Sequence, residues 1–378
     1  MAQTLFNITD DPADSTRGHS TGILPASQLR AMIHRGRLVA LKEIEEAQIQ
    51  PASLDLRLGS VAWRIRASFL PGPNVTVKTR IDQLALHQID LTKGAVFEAG
   101  CVYIVPLLES VALPSRMSGV ANPKSSTGRL DVFTRLITDG AKEFDRVEPG
   151  YEGPLYAEVS PRSFSILVRE GSRLNQLRLR RGSPSFTDAD LRKLQQEHGI
   201  VAGDADISDG IALTVDLTGA GWKELIGYRA KRHAGLIDVD QSGVHEVGDF
   251  WEPIKARNDA SIVLDPNEFY ILASREAVSI PPEYAAEMVP YNPLVGEFRV
   301  HYAGFFDPGF GYSGAGGAGS RAVLEVRSHE VPFILQHGQI IGRLVFERLT
   351  EVPERVYGQG IGSNYQAQGL KLSKHFRV

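Results

Sequence analysis

The residues with the clearest capacity for chemistry lie at positions 123–129, which read PKSSTGR. A lysine and an arginine supply positive charge there, and two serines and a threonine supply hydroxyls. This combination is compatible with a phosphate-binding loop, with part of a catalytic centre, and with a polar turn between two strands. Glu158 follows in the apolar segment LYAEV, where a carboxylate is costly to bury unless it has partners. By spacing alone, Glu158 is equally compatible with an outward-facing position on a strand.

The chain also contains a second, altered copy of this region. Residues 101–114 (CVYIVPLLESVALP) match residues 268–281 (EFYILASREAVSIP) at an offset of 167 positions. The same offset places Glu158 on Glu325. A self-similarity of this length predicts two tandem domains of the same fold.

The motif itself is not repeated intact. Aligning the two copies places Pro293 and Leu294 on the two serines, and Glu297 on Arg129. Two hydroxyls are lost and a cation becomes an anion, so the second copy cannot bind an anion by the same means. Because the turn tolerates this loss, the fold does not need these groups, and chemistry at a ligand explains them better.

Each half begins with helical spacing and continues as short apolar or alternating runs between Gly, Pro and Asp turns. Residues 25–39 and 187–201 are predicted to be helical, with Ser27 and Thr187 as capping residues before a glycine stop. Segments such as ASLDLRLG and RLVFERL predict strands. A mainly β barrel or sandwich in each half is therefore expected, with RRGSPSF at 180–186 as the linker.

Composition limits the class of protein. A chain of 378 residues, 42% of them hydrophobic and 23% charged, is globular and can bury two cores. The net charge of −4 argues against binding to a nucleic-acid polymer, and the single Cys101 excludes an intrachain disulfide. The N-terminus does not resemble a secretory signal, and no apolar stretch reaches the ~18 residues of a membrane span. We therefore expect a cytoplasmic protein that does not act at a membrane.

The order of the segments resembles the dCTP deaminase family, a branch of the dUTPase-like β fold. The resemblance rests on the opening helix, QPASLDLRLG, LLESVALP, KSSTGR, RVEPGYEG, LYAEV and the tail NYQAQG, which together span nearly the whole chain. LLESVALP and SLDLRLG are scaffold that dUTPases share. The Ser-Ser-x-x-Arg motif, the PG turn and a glutamate eight residues beyond its glycine are more specific.

The resemblance implies two tandem dUTPase-like β-barrel or β-clip domains, each opened by a short α-helix. Domain 1, at residues 1–180, carries the complete motif set. Domain 2, at residues 187–378, carries the degenerate motif and a C-terminal tail that covers the nucleotide.

The implied activity is hydrolytic deamination of dCTP to dUTP and ammonia. In this resemblance Glu158 is the general base that activates water and relays protons, while Ser125 and Arg129 position the water and stabilise the site. Lys124 and Ser126 become triphosphate ligands, with Lys124 where the family usually has arginine. Replacing Glu158 by alanine is then expected to abolish turnover.

Further substrate contacts follow from the same resemblance. Arg146 matches an arginine of the nucleoside pocket, and Glu148 stands where the family has aspartate. Residues 135–145 (RLITDGAKEFD) exceed the family norm; we interpret them as a wider hairpin loop, and a reshaped base pocket is the alternative. The tail matches an arm that folds over the triphosphate. Its candidate contacts are Tyr357, Tyr365, Gln368, Lys371 and Lys374.

The second half keeps His301, Asp307 and Glu325, which also have family counterparts. Active sites of the family lie between neighbouring subunits, so an incomplete repeat can still supply one wall of a site. We favour the complete first-half set as the working centre. A composite site that uses Glu325 and His301 is the alternative.

Cofactors and partners complete the expectation. Zinc deaminases need a PCxxC pair, which a single cysteine cannot supply, so a carboxylate must act as the base and we expect no zinc. Mg²⁺ is expected only as the counterion of the triphosphate. The resemblance implies a homo-oligomer, with a trimer of chains favoured, and makes dTTP a candidate feedback inhibitor. The alternatives are a dUTP diphosphatase, a bifunctional deaminase-diphosphatase, and an inactive nucleotide-binding regulator.

Overall fold

The computed structural model describes residues 19–219, 223–290, 298–300, 304–315, 319–328, 330–358 and 369–377. The strands within them are β1 Gly22–Ile23, β2 Leu38–Ala40, β3 Leu54–Arg57, β4 Val61–Ile65, β5 Ala85–Asp90, β6 Ala95–Phe97, β7 Val102–Ala112, β8 Met117–Pro123, β9 Val132–Thr138, β10 Arg146–Val147, β11 Glu152–Pro161, β12 Ile166–Val168, β13 Arg173–Arg181, β14 Ile211–Thr214, β15 Leu225–Ala230, β16 Ile237–Asp238, β17 Trp251–Lys255, β18 Ser261–Leu264, β19 Phe269–Val278, β20 Tyr284–Pro290, β21 Phe298–Val300, β22 Phe305–Phe306, β23 Ser320–Ser328, β24 Phe333–Gln336 and β25 Ile340–Arg348. The α-helices are α1 Ala26–His34, α2 Val77–Leu84, α3 Ser125–Gly128, α4 Asp188–His198 and α5 Val247–Phe250.

The sheets of the two halves repeat each other. In the first half the strand orders are β1-β13-β8-β10, with β3 also on β13, and β5-β4-β7-β11-β9, with β2 on β7. In the second half they are β14-β25-β20-β22 and β17-β15-β19-β23-β21. The matched segments of the sequence become the equivalent strands β7 and β19. The prediction of a mainly β fold with two tandem domains is confirmed.

The opening helices are present, but only one of the two predicted caps is correct. Thr187 precedes α4, and its hydroxyl accepts a hydrogen bond from the amide of Asp190 at 3.3 Å, while the left-handed Gly199 ends the helix. Ser27 lies inside α1, which begins after the extended residue Pro25. The Ser27 hydroxyl instead donates to Glu351 Oε1 at 2.5 Å, because the first turn of α1 faces the end of the second half.

The two halves are more intertwined than the sequence division at 180–187 suggests. β13 extends to Arg181, so the predicted linker is shorter at its start. β16, from the second half, adds in parallel to β12 of the first half and extends the ribbon that β12 forms with β6. Phe376 near the C-terminus packs with Phe164 and Trp251 in the first core. Segments of the second half therefore stabilise the first.

The second core is separate and is built around β19, β23 and β25. No helix in the described part of the chain is long and apolar enough to cross a membrane.

Candidate active site

A cavity of about 590 Å³ opens between the two halves of the chain. The first half contributes residues 123–126, 128 and 129, together with Asp55 and Arg173, to its lining. The second half contributes the turn at 304–307 and Glu325. The cavity therefore joins the intact motif of one repeat to the equivalent of Glu158 in the other.

The intact motif forms a short turn at the end of a strand. β8 ends at Pro123, and Lys124 then accepts backbone hydrogen bonds from Thr127 at 2.8 Å and Gly128 at 2.9 Å, which begins α3. The Lys124 ammonium pairs with the Asp55 carboxylate from β3. Ser125 is partly exposed to the cavity and Ser126 is buried beside it. Hydroxyls and a lysine thus face one space from adjacent positions.

Arg129 connects this turn to the opposite wall. Its Nε lies 3.9 Å from Glu325 Oε1 on β23, and its Nη1 donates to the carbonyl of Lys371 at 2.9 Å. Arg129 is 4% exposed and Glu325 is 5% exposed. Burial raises the pKa of Glu325 to about 8; the Arg129 guanidinium opposes this rise and Asp131 adds to it. A carboxyl that titrates near neutral pH in a cavity is suited to proton transfer.

An ion pair fixes the spacing of these two walls. Arg327, two residues after Glu325 on β23, donates to Asp131 from Nε at 3.1 Å and from Nη2 at 2.5 Å. Both side chains are buried. Since Asp131 lies two residues after Arg129, this bidentate pair holds the end of the intact motif against the strand that carries Glu325.

The turn FFDPGFG forms the adjoining wall. Asp307 lines the cavity, and Arg178 from β13 donates to its Oδ1 at 3.3 Å. The Arg178 guanidinium also stacks 3.9 Å from the Phe305 ring centroid. Burial raises the pKa of Asp307, and Arg178 opposes the rise. A fully buried arginine of the first half therefore holds a wall that the second half supplies.

Gly309 brings the tail to this turn. Its φ of +90° is left-handed, and a Cβ there would lie 2.6 Å from Cβ of Val356. The absence of a side chain lets the Tyr357 amide donate to the Pro308 carbonyl at 2.7 Å, and Tyr357 lines the cavity. The position of Tyr357 thus depends on a glycine in the turn.

The last described residues are built into the fold beside the motif. Ser373 Oγ donates to the Ser126 carbonyl at 2.7 Å and lies 2.8 Å from His375 Nδ1. Burial lowers the pKa of His375 to about 4. Lys374 lines the cavity, and its pKa is lowered by burial and by the charge of Lys124. The segment at 369–377 is therefore an anchored part of the site rather than a free arm.

Most of the sequence-predicted residues meet at this cavity. Those that line it are Lys124, Ser125, Ser126, Arg129, Asp307, Glu325, Tyr357 and Lys374. Lys371 contributes its backbone carbonyl to Arg129. The predicted contacts His301, Tyr365 and Gln368 lie outside the described residues.

Arg146 and Glu148 do not join the others. Both are exposed and line a small surface cleft with Glu143, which lies 3.9 Å from the Arg146 guanidinium. When the PG turn at 149–150 is aligned with the PG turn at 308–309, Arg146 and Glu148 correspond to Phe305 and Asp307, which line the main cavity instead. Arg146 and Glu148 are therefore apart from Lys124 within this chain, and their roles in substrate binding stay predictions.

Glu158 is also outside the lining of the main cavity. It lies on β11 opposite Arg135 of β9, and its Oε1 accepts hydrogen bonds from Arg135 Nε at 3.1 Å and Nη2 at 2.5 Å. The predicted trio of Glu158, Ser125 and Arg129 is not assembled, because the wall that faces the motif belongs to the other repeat. The catalytic role of Glu158 stays a prediction without this geometric support.

Sequence reasoning missed Asp55, Arg173, Arg178 and the Asp131–Arg327 pair. Arg178 had a detectable signal, since it lies in the strand NQLRLRR, where a charge between leucines requires partners. The others depend on contacts between distant segments. Among the described residues, no group of three or more His, Cys, Asp or Glu side chains is arranged to hold a metal ion.

Comparisons with known proteins agree with this organisation. Residues 20–183 match the model of the 2'-deoxycytidine 5'-triphosphate deaminase N-terminal domain, and residues 187–376 match that of its C-terminal domain. A crystal structure of 2'-deoxycytidine 5'-triphosphate deaminase from Agrobacterium tumefaciens is 59% identical, with a TM-score of 0.85, and the match covers 88% of this chain and 100% of that one.

Curated relatives match over shorter stretches. A dCTP deaminase, dUMP-forming, of Beutenbergia cavernae is 35% identical over 29% of this chain, and a dCTP deaminase of Pectobacterium atrosepticum is 28% identical over 34% of it. The matches span 55% of the first relative and 68% of the second. With both family models matched in order along nearly the whole length, the chain belongs to the 2'-deoxycytidine 5'-triphosphate deaminase family.

Proposed function

We propose that the protein deaminates dCTP to dUTP and ammonia in the cavity between its two halves, with Glu325 as the general base. The observation that carries this proposal is the position of Glu325, buried beside Arg129 and facing the intact motif. The relatives and the structural neighbour are named as dCTP deaminases, which supports the substrate and the reaction.

The chemistry requires a water that attacks C4 of the cytosine ring. Ionised Glu325 accepts a proton from this water as the oxygen–C4 bond forms, and returns protons as the C4–N4 bond breaks. The water oxygen becomes the uracil carbonyl oxygen, one water proton ends on N3 and the other on the departing ammonia. Ser125 and Arg129 lie where they can hold the water and stabilise the carboxylate.

Phosphate binding is assigned to the cationic side of the cavity. Lys124 and Lys374 are close enough for the charge of one to lower the pKa of the other, and an anion between them would relieve this repulsion. Ser126 and Arg173 line the same space. We expect Mg²⁺ to accompany the triphosphate as its counterion, and the deamination step to need no zinc.

Three expectations from the sequence remain predictions. They are the cytoplasmic location, assembly as a trimer of chains, and feedback inhibition by dTTP.

The test compares Glu325→Gln with Glu158→Gln in the full chain, with dCTP and Mg²⁺, by measuring released ammonia. Loss of the general base is expected to lower kcat/KM by about 10²- to 10⁴-fold in Glu325→Gln. Glu158→Gln, the matched change in the other repeat, is expected to stay within about twofold. A large loss in Glu158→Gln with an active Glu325→Gln would assign catalysis to the first-half glutamate.

A second readout addresses diphosphatase activity. Several relatives carry the name dCTP deaminase, dUMP-forming, so pyrophosphate should be measured in the same reactions. Equal amounts of ammonia and pyrophosphate would indicate a bifunctional enzyme, and ammonia alone the simple deaminase. Pyrophosphate without ammonia would contradict the proposal.

A further inference from the structure

Because the fold is duplicated, the chain has a second glutamate, Glu158, at the position equivalent to Glu325. The surroundings of the two glutamates differ. In antiparallel strands, directly opposite residues share a face of the sheet. Glu325 is opposite Ile271, and Ile271 packs in the core that includes first-half residues, so this face is directed at the first half. Glu158 is opposite Ile104 in the equivalent strands. The face that carries Glu158 and Ile104 is called the Glu158 wall below.

A helix covers the Glu158 wall. Val77 and Ile81 of α2 form a buried cluster with Ile104, Ile137 and Tyr156. Tyr156 lies two residues before Glu158 on β11, and therefore on the same face. The sheet face that carries Ile271 and Glu325 is covered by the first half of the chain. The equivalent face, which carries Ile104 and Glu158, is covered by α2, a helix of the first half itself.

The long segment at 135–145 holds this cover in place. Asp139 Oδ1 accepts a hydrogen bond from the Val77 amide at 2.7 Å, at the first turn of α2. Ala141 and Phe144 pack in the same cluster as Ile81. The residues of this long segment therefore hold α2 against the Glu158 wall.

Arg135 binds one oxygen of the Glu158 carboxylate, Oε1. Its guanidinium donates twice to Glu158 Oε1, its Nη2 also donates to Ser68 Oγ at 3.1 Å, and its Cζ lies 3.8 Å from the centroid of the Phe144 ring. Glu158 is 2% exposed. A guanidinium presents a planar N–C–N edge, as the amidine part of a cytosine ring does. Glu158 therefore already has an internal ligand of the same shape as the group that Glu325 would receive.

The sequence also lacks the motif residues that a second site at Glu158 would need. By the chain's own duplication, the partner of the Glu158 wall would be the second copy of the motif, in which Pro293, Leu294 and Glu297 replace the two serines and Arg129. A second nucleotide would find neither the cations nor the hydroxyls that line the main cavity.

We propose that the Glu158 wall is a closed duplicate of the working site, with Arg135 as its permanent internal ligand, so that each chain binds one nucleotide. This inference rests on the proposed function for the identity of that nucleotide. Another copy of the chain cannot bring its own motif to Glu158 without displacing α2. Arg135 and Glu158 then act as a structural pair.

The first test is the stoichiometry of binding. Full-length Glu325→Gln protein is titrated with dCTP, and wild-type protein with dUTP, both with Mg²⁺, by isothermal titration calorimetry. One nucleotide per chain is the expected result, and two per chain would overturn the proposal. One nucleotide per chain without ammonia release from dCTP by the wild type would remove the deaminase proposal and leave the closed wall standing. Ammonia release with two nucleotides per chain would support the deaminase proposal and contradict the closed wall.

The second test removes the internal ligand. Arg135→Gln leaves Glu158 buried and unpaired, so its melting temperature is expected to fall, and adding Glu158→Gln should recover part of the loss. The matched control is Arg229→Gln, because Arg229 likewise donates from Nε at 3.1 Å and from Nη2 at 2.5 Å to one carboxylate oxygen, Oε2 of Glu252, in a half-exposed pair. Its melting temperature is expected to change less. A loss of kcat above tenfold in Glu158→Gln, or no recovery in the double variant, would contradict the structural role.

Discussion

The pH dependence of turnover gives the sharpest test of Glu325. A general base must be ionised to accept a proton from water, and burial raises the pKa of Glu325 to about 8. At pH 7 about a tenth of the free enzyme would then be competent, and each further unit of acidity would lower this fraction about tenfold. We expect kcat/KM to rise with a slope near one up to about pH 8 and to level off above it.

Burial raises the pKa of Glu325 and Arg129 opposes the rise, so removing Arg129 has a predictable effect on the midpoint of the profile. Arg129 Nε lies 3.9 Å from the Glu325 carboxylate. At an effective dielectric constant of about 20, such a contact contributes about 4 kcal/mol to the ionised form, or about three pKa units. The Arg129→Gln profile should therefore still rise at about pH 10, whereas Arg129→Lys, which keeps the charge, should level off within about one to two units of the wild type.

The assay measures initial ammonia release at subsaturating dCTP between about pH 5.5 and 10, at constant ionic strength. Arg146→Gln is the control, because Arg146 is exposed and lies outside the cavity. Both Arg129 variants will lose absolute rate, so the midpoint of the profile is the quantity to compare. A wild-type plateau below about pH 6, or an unchanged midpoint in Arg129→Gln, would show that the titrating group is not Glu325 under the control of Arg129.

Three further predictions concern the walls of the cavity. Because its folded pKa exceeds the usual value, Glu325 costs the fold stability as pH rises from 4.5 to about 8, by about 5 kcal/mol in total. Urea unfolding should therefore find Glu325→Gln more stable than wild type at pH 8 and similar to it at pH 4. Arg178→Gln leaves Asp307 without its cation and should lower the free energy of unfolding by about 3–5 kcal/mol, with Arg178→Lys between the two. Ser373→Ala removes the donor to the Ser126 carbonyl; it should cost about 1–3 kcal/mol in unfolding and raise the KM for dCTP more than it changes kcat.

The fold was readable from the sequence because its signals are local. Alternating apolar residues and turn glycines define the strands, and the offset of 167 positions relates β7 to β19. The cap at Thr187 was predicted correctly because its partner, Asp190, is three residues away. The cap at Ser27 was not, because Ser27 bonds to Glu351, and no pattern near residue 27 indicates a partner so far along the chain.

The choice between the two glutamates was not readable in the same way. Glu158 and Glu325 stand at equivalent positions of the repeat, and proximity in sequence favoured Glu158 as the partner of the motif. Our proposal of Glu325 depends on which sheet face meets which half of the chain. It is supported by α2 and the segment at 135–145, which cover the face that carries Glu158. The length of 135–145 is visible in the sequence, but length alone does not show whether a loop lies over a site or away from it.

In the proposed function the two halves are complementary, and together they form one complete site. A site of this kind takes the motif from one repeat and the glutamate wall from the other, so two tandem repeats define two possible sites. The altered second copy of the motif, at residues 291–297, lacks the ligands that a site with Glu158 would need. The first copy, which lines the cavity with Glu325, keeps them. Glu158 is then a buried carboxylate outside any working site, which is strongly destabilising unless a cation is supplied. Arg135, on the neighbouring strand and directly opposite, is placed to supply that cation. The motif is intact in the first repeat and altered in the second. The proposed site at Glu325 and the Arg135 pair at Glu158 both follow from this one asymmetry.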